Sequence, residues 1–282
     1  MKSYLCTAIA GLAIIAAACS GNEGEMVSSE VSVNGPEGTI YGILHRPEGK
    51  KNTPLVIVSH GFGGSHVYGK TYADALVPEG YAVYCYDFCG GSVNSLSDGK
   101  TTDMSIFSEK EDLLAVMDGL EADGIDTSHV ILIGESQGGM VSALAAAERP
   151  ERVGKLILVY PALCIRDDWV KMFPNSEDMP EEIDFWGIKL SRNYRRGLDE
   201  LDVYGTIGLY NGPVLIFHGD NDAVVPLSYS VEAEKTYRNA RLVVLPGEGH
   251  GFTPEAQEKV NGEIGKFLKA GRQGFGKTEE NE

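Results

Sequence analysis

At 282 residues the chain has room for one large α/β domain carrying an insertion, or for two small domains, and for a sizeable core in either case. With 43% hydrophobic and 23% charged residues it is not a disordered chain. Its 24 Lys and Arg against 41 Asp and Glu, a formal charge of −17, argue against nucleic acid or an anionic membrane surface as a broad-face partner.

The amino terminus reads as a targeting segment. Lys2 supplies a positive n-region, residues 8–18 are a short apolar run, and Ala16-Ala17-Ala18 lead directly into Cys19. The run is too short to span a bilayer comfortably. Small residues abutting a cysteine, with the polar Ser20-Gly21-Asn22-Glu23-Gly24-Glu25 behind it, resemble a bacterial lipoprotein signal, although Ala16 stands where that family more often has Leu. The resemblance implies that residues 1–18 are removed, that Cys19 is lipidated, that residues 19–29 are a tether, and that the protein sits in the cell envelope, touching membrane only through its lipid. An ordinary cleaved signal with an incidental cysteine is the alternative.

Of the 5 cysteines, Cys85, Cys89 and Cys164 lie beyond the signal, an odd number without metal-ligand spacing. Cys85 falls in an apolar run, where a free thiol behaves as a small hydrophobe. A Cys85–Cys89 or Cys89–Cys164 disulfide is compatible with an oxidising compartment.

Two alternating segments, 30–34 and 39–46, flank Gly35-Pro36-Glu37-Gly38 and predict an antiparallel hairpin at a sheet edge. Apolar runs then alternate with helical stretches. Strands are predicted at 55–59, 81–86, 130–133, 155–160, 213–217 and 241–245, and helices at 68–78, 108–120, 140–148, 229–237 and 254–269. Helix 108–120 carries Leu113, Leu114, Val116, Met117 and Leu120 on one side. Val- and Ile-rich runs without alternation indicate strands covered on both faces, hence an α/β fold with a mostly parallel sheet flanked by helices.

Between about residues 162 and 211 this rhythm stops. Arg166-Asp167-Asp168-Trp169, Phe173-Pro174, Phe185-Trp186-Gly187 and Tyr194-Arg195-Arg196 are aromatic and charged without strand periodicity, and Trp169 and Trp186 are the only 2 tryptophans of the chain. Long insertions in compact domains are commonly functional. We read this one as a cap over the carboxyl ends of the strands, where open α/β sheets bind ligands. Residues 271–282 read as a flexible tail.

Residues 130–139, Val-Ile-Leu-Ile-Gly-Glu-Ser-Gln-Gly-Gly, spell strand, sharp turn and helix, with Ser136 between Gly134 and Gly138. A serine hydroxyl is a weak nucleophile that needs a base, and the base needs a third group to orient it. Asp222 and His250 follow downstream, each at the end of a predicted strand. Asp220 competes with Asp222 for the acid, while His60, His218 and Glu248 read better as loop-bracing or surface residues.

Four motifs now stand in order: His60-Gly61-Phe62-Gly63-Gly64, Gly134-Glu135-Ser136-Gln137-Gly138-Gly139, His218-Gly219-Asp220-Asn221-Asp222 and Gly247-Glu248-Gly249-His250-Gly251-Phe252. From about residue 31 to 268 the chain resembles an α/β hydrolase, and within that fold the cinnamoyl/feruloyl esterase and serine aminopeptidase-like (S33) branch. The resemblance implies a domain over residues 30–270 with the triad Ser136, Asp222 and His250, the acid chosen by the spacing of HGxxD. It also implies an oxyanion hole made by the backbone N–H groups of Phe62 and Gln137. Asp168, Trp186 and Tyr194 are candidates for lining an acyl pocket. No metal or organic cofactor is implied.

The expected reaction is carboxylic ester hydrolysis through an acyl-enzyme, with hydroxycinnamoyl esters of polysaccharide as the leading substrate class. Lysophospholipase, general carboxylesterase and S33-type aminopeptidase action use the same machinery. A surface binding lipoprotein without turnover is the reading of a different class.

Overall fold

The computed structural model describes residues 25–270. The signal segment, Cys19, residues 19–24 of the tether and the 271–282 tail lie outside the described residues. Strands β1 (Met26–Gly35) and β2 (Gly38–Pro47) form the expected hairpin. Its first strand starts earlier than composition indicated: Met26–Ser29, read as tether, pair with residues 44–47 of β2, and backbone pairing rather than polarity sets the boundary.

There follow β3 (Thr53–Ser59), α1 (Lys70–Leu76), β4 (Ala82–Tyr86), α2 (Ile106–Gly119), β5 (Ile125–Glu135), α3 (Ser136–Glu148) and β6 (Val153–Val159). The insertion contributes α4 (Ile165–Met172), β7 (Glu182–Phe185), β8 (Ile188–Ser191) and α5 (Val203–Ile207). The chain then returns to the sheet with β9 (Val214–Gly219), α6 (Leu227–Thr236), β10 (Ala240–Leu245) and α7 (Pro254–Lys269).

The main sheet is 8-stranded in the order β1-β2-β4-β3-β5-β6-β9-β10. Antiparallel pairing is confined to β1–β2 and β2–β4, and every other neighbour is parallel. All residues of β4 and β9 are buried, as expected of strands covered on both faces. One core layer lies between the sheet and α2, α3 and the insertion, the other between the sheet and α1 and α7. Local chemistry ends the helices where it should. Ser105 and Ser108 form a reciprocal capping box at α2, and Thr253 caps α7 with Pro254 at its first position.

The insertion is not without strands. β7 and β8 pair antiparallel across a two-residue loop, Trp186-Gly187, whose residues have φ of 54° and 80°, the positive values a type I′ hairpin turn requires. Sequence reasoning misses it because each strand has only 4 residues and the loop position usually held by Asn or Gly carries Trp. The Asp184 carboxylate accepts the Gly187 N–H at 3.0 Å and helps to hold the turn. Cys85, Cys89 and Cys164 are free and buried, so neither disulfide forms.

Candidate active site

Ser136 sits at the junction of β5 and α3 with φ of 50°, a left-handed conformation that an L-residue adopts only under constraint. The constraint is steric. A Cβ on Gly134 would press into the Gly138 carbonyl, and one on Gly138 into the carbonyls of Ser59 and His60. Packed backbone on both sides thus forces the turn to project the serine hydroxyl above the strand ends.

His250, in the loop after β10, places Nε2 2.9 Å from Ser136 Oγ and Nδ1 2.8 Å from Asp222 Oδ2. The Ser136 hydroxyl donates to Nε2, and the Nδ1–H donates to the carboxylate. Asp222 lies in the loop after β9, where its Oδ1 accepts the N–H groups of Val224 and Val225, each at 2.8 Å. Burial pushes the Asp222 carboxyl up, but these amides and the His250 ring outweigh burial and hold it below the usual carboxylate range. It is therefore an anion at neutral pH. The Tyr160 ring packs on His250 with centroids 4.8 Å apart, and Tyr160 itself has φ of 36°.

Asp220, Glu248 and His60 have other partners, and His218, although engaged elsewhere, also places Nε2 3.3 Å from Asp222 Oδ2. Asp220 Oδ1 accepts the Gly247 N–H at 2.6 Å, tying the β9 loop to the loop that carries His250. Glu248 accepts the amide and hydroxyl of Thr253, each at 2.8 Å. His218 donates from Nε2 to the Val225 carbonyl at 2.9 Å and accepts the Ser230 hydroxyl at Nδ1, 2.7 Å away, and burial lowers its basicity. His60 accepts the Phe88 N–H at Nε2 and donates from Nδ1 to the Gly61 carbonyl at 2.8 Å, which braces the 61–64 turn. That turn passes against Ser136, since a Cβ on Gly61 would stand 3.1 Å from the Ser136 Cβ. The amides of Phe62 and Gln137 therefore belong to the two segments that adjoin Ser136.

Two cavities meet at Ser136. The first, about 230 Å³, runs under the insertion between Phe62, Trp169, Phe185, Trp186 and Tyr194. The aromatic rings meet edge-on, tilted or stacked at centroid distances of 4.8–6.1 Å. Asp168 and Cys164 supply its polar lining, and burial keeps the Cys164 thiol protonated. The second, about 240 Å³, is lined by Gly61, Gly63, Gly64, Glu135, Tyr160 and His250. Glu135 is buried there and accepts the Tyr72 hydroxyl at 2.6 Å, and burial raises its carboxyl above the ordinary range.

Asp168, Trp186 and Tyr194, expected at an acyl pocket, all line the first cavity. They differ in kind. Trp186 is 68% exposed at the mouth, whereas Tyr194 is 2% exposed and donates its hydroxyl to Gln137 Oε1. Sequence reasoning missed Cys164, Tyr160, Glu135 and Glu109. Glu109 carried a usable signal: it lies one turn before Leu113 on the apolar side of α2, where an acidic residue has no solvent.

The chain belongs to the α/β-hydrolase family. Residues 50–183 match the family described as serine aminopeptidase, S33, and residues 200–277 the family described as TAP-like protein. Among solved structures it is similar to Est1E from Butyrivibrio proteoclasticus with ferulic acid bound, at 30% identity and a TM-score of 0.76, over 84% of this chain and 97% of that one. It is also similar to a putative carbamate hydrolase, RutD, of Caulobacter sp. (strain K31), at 27% identity over 82% of this chain and 97% of the relative. A bifunctional esterase/perhydrolase, DCH, of Acinetobacter calcoaceticus is 23% identical over 81% of this chain and 96% of its own length. The protein is a hydrolase with esterase-like relatives.

Proposed function

We propose that the protein is a serine esterase that cleaves carboxylic esters of aromatic acids, with hydroxycinnamoyl esters as its substrate class. One observation carries the reading: the hydrogen-bonded chain Ser136–His250–Asp222 opens directly onto a cavity walled by Phe62, Trp169, Phe185, Trp186 and Tyr194.

In this reading His250 Nε2 takes the Ser136 proton as Oγ bonds to the ester carbonyl carbon, and Asp222 stabilises the imidazolium through the Nδ1–H. The carbonyl oxygen becomes an oxyanion, met by the N–H groups of Phe62 and Gln137. Collapse breaks the bond to the alkoxy oxygen, which takes its proton from His250. Water, deprotonated by the same ring, then attacks the acyl-enzyme and releases the acid.

The leaving oxygen has to face the ring that protonates it. His250 lines the second cavity and not the first, so the alcohol departs through the glycine-lined groove and the acyl group occupies the aromatic cavity. Similarity to Est1E with ferulic acid bound supports an aromatic acyl group.

Aminopeptidase action, the description of the matching S33 family, needs carboxylates in the substrate cavity to hold an ammonium. Of the acidic residues of the insertion only Asp168 lines it. Asp167 is engaged by Arg166 and Tyr229, Glu182 by Lys189, and Asp184 by the hairpin turn. These partners favour the ester.

Parallel assays with methyl ferulate, p-nitrophenyl butyrate and an aminoacyl anilide test the reading. Methyl ferulate should turn over with the highest kcat/KM, and Ser136→Ala should abolish both turnover and labelling by a fluorophosphonate probe. Preference for the anilide would overturn the substrate class, and a folded protein that the probe does not label would indicate a binding protein. The lipoprotein-like amino terminus further supports an envelope anchor at Cys19. Cys19→Ser should then move the protein out of the membrane fraction, and unchanged partitioning would refute lipidation.

A further inference from the structure

Glu109, on α2, is 1% exposed and accepts the Gln137 side-chain N–H at Oε2, 2.7 Å away. The other end of that amide, Oε1, accepts the hydroxyl of Tyr194 from the insertion, and Nε2 also faces the Met104 sulfur at 3.7 Å. Gln137 follows Ser136 in the first turn of α3, and its side chain is held at one end by the core and at the other by the cap.

We propose that Glu109, the Gln137 side chain and Tyr194 form a positioning relay that aims the Gln137 backbone N–H at the oxyanion and makes this aim depend on the seating of the cap. The inference rests on the serine esterase reading and adds a residue, Glu109, that touches neither substrate nor the reacting atoms.

The physical demand is geometric. An oxyanion donor stabilises the transition state only if it is aimed before charge develops, and its peptide plane adjoins Ser136, which is already held at φ of 50°. An amide side chain anchored at both its oxygen and its nitrogen cannot rotate without breaking a buried hydrogen bond, and such a loss is costly where no water substitutes. Tyr194 belongs to the short helical turn after β8, residues 192–195, so its bond to the amide is made only with that part of the cap seated as it is here. An open cap therefore leaves Gln137 anchored at Glu109 alone.

Charge is handled by the same residue. Burial pushes the Glu109 carboxyl up to about 8; the neighbouring Asp112 on α2 adds to the effect and the hydrogen bond from Gln137 opposes it, while the buried hydroxyls of Tyr86 and Tyr194 stay protonated and add no charge. The uncharged acid accepts from Gln137 without placing an anion behind the oxyanion.

The test compares Glu109→Leu, Glu109→Gln and Tyr194→Phe in the full chain, on p-nitrophenyl butyrate, a substrate too small to need the aromatic cavity. Glu109→Leu should lower kcat by about tenfold, a fraction of the 10²–10³ lost when a whole oxyanion donor is removed, with KM changed less than about twofold. Glu109→Gln keeps an acceptor oxygen and should restore kcat to within about twofold of wild type. Wild type should lose kcat above about pH 8, where Glu109 ionises behind the oxyanion, and Glu109→Gln should remove that fall. Tyr194→Phe should lower kcat in the same direction, and thermal melts of each variant separate misfolding from misalignment.

An unchanged kcat in folded Glu109→Leu, or a Glu109→Gln variant as impaired as Glu109→Leu, would overturn the relay. Were Ser136→Ala to retain turnover, the esterase reading itself would fail. Loss of turnover in Ser136→Ala with full activity in Glu109→Leu would remove the relay alone.

Discussion

The His250 ring and the Asp222 carboxylate are joined through Nδ1 and Oδ2 at 2.8 Å, while the second carboxylate oxygen is taken by two backbone amides. Asp222 is thus immobilised beside the His250 ring. Asp222→Asn should lower kcat by about 10⁴, the scale for a triad acid whose loss leaves the base in the wrong tautomer. Asp220→Asn removes only a carboxylate that accepts the Gly247 amide and should leave kcat within about twofold while costing about 1 kcal/mol of stability. Steady-state kinetics on both variants decide the matter, and reversed effects would mean that the acid is Asp220.

Gly138 and Gly262 predict opposite outcomes for one substitution. A Cβ at Gly138 collides with the carbonyls of Ser59 and His60, so Gly138→Ala should cost about 3 kcal/mol or more and abolish activity. Gly262 is exposed in α7 with open space around its would-be Cβ. Gly262→Ala should stabilise the protein by about 0.5–1 kcal/mol. Urea unfolding midpoints read both, and a tolerated Gly138→Ala would contradict the steric account of the elbow.

Trp186 is a bulky side chain at φ of 54° that packs on Phe185 and Phe62 at the mouth of the aromatic cavity. Asn suits that backbone conformation better, so Trp186→Asn should keep or slightly raise stability. It should lower kcat/KM for methyl ferulate about tenfold and for p-nitrophenyl acetate less than twofold, since only the larger acyl group needs the wall. Equal losses on both substrates would place Trp186 outside acyl recognition.

Glu109 and Asp112, buried together on α2, set a pH dependence of stability. Burial pushes them up to about 8 and about 6. Between the ordinary carboxylate range and those values the folded protein holds protons that the unfolded chain has released. Folding therefore takes up protons in this window, and stability falls as pH rises, by at most about 1.4 kcal/mol per pH unit for each group. Urea midpoints should decline from about pH 5 to about pH 8, and less steeply in Glu109→Gln. A midpoint that climbs through this window in wild type, or a variant with an undiminished slope, would contradict a buried neutral Glu109.

Ser136, Asp222 and His250 were legible because each stands at a strand end inside a short motif whose glycines have a local steric purpose. The strands β3, β4, β5, β6, β9 and β10 were legible for the same kind of reason, since continuous apolar runs bounded by turn residues are a local property. The β7–β8 hairpin was not, because four-residue strands leave almost no periodicity and Trp186 occupies the turn. Glu109 was passed over because an acidic residue near a helix start is ordinarily solvated, although its place one turn before Leu113 on the apolar side of α2 hinted at burial; its partner Gln137 is visible only in the packed structure.

The family, the strained turn at Ser136 and the candidate residues Asp222 and His250 could be read from local motifs, because each motif is shaped by turn and strand sterics within a few residues. Tertiary structure alone decided that two cavities meet at Ser136, that His250 faces only one of them, and that the Gln137 amide is held from both sides. Those relations join residues as far apart as Glu109, Gln137, Tyr194 and His250. Side-chain contacts across such separations are set by how helices and loops pack on the sheet, which no local pattern encodes.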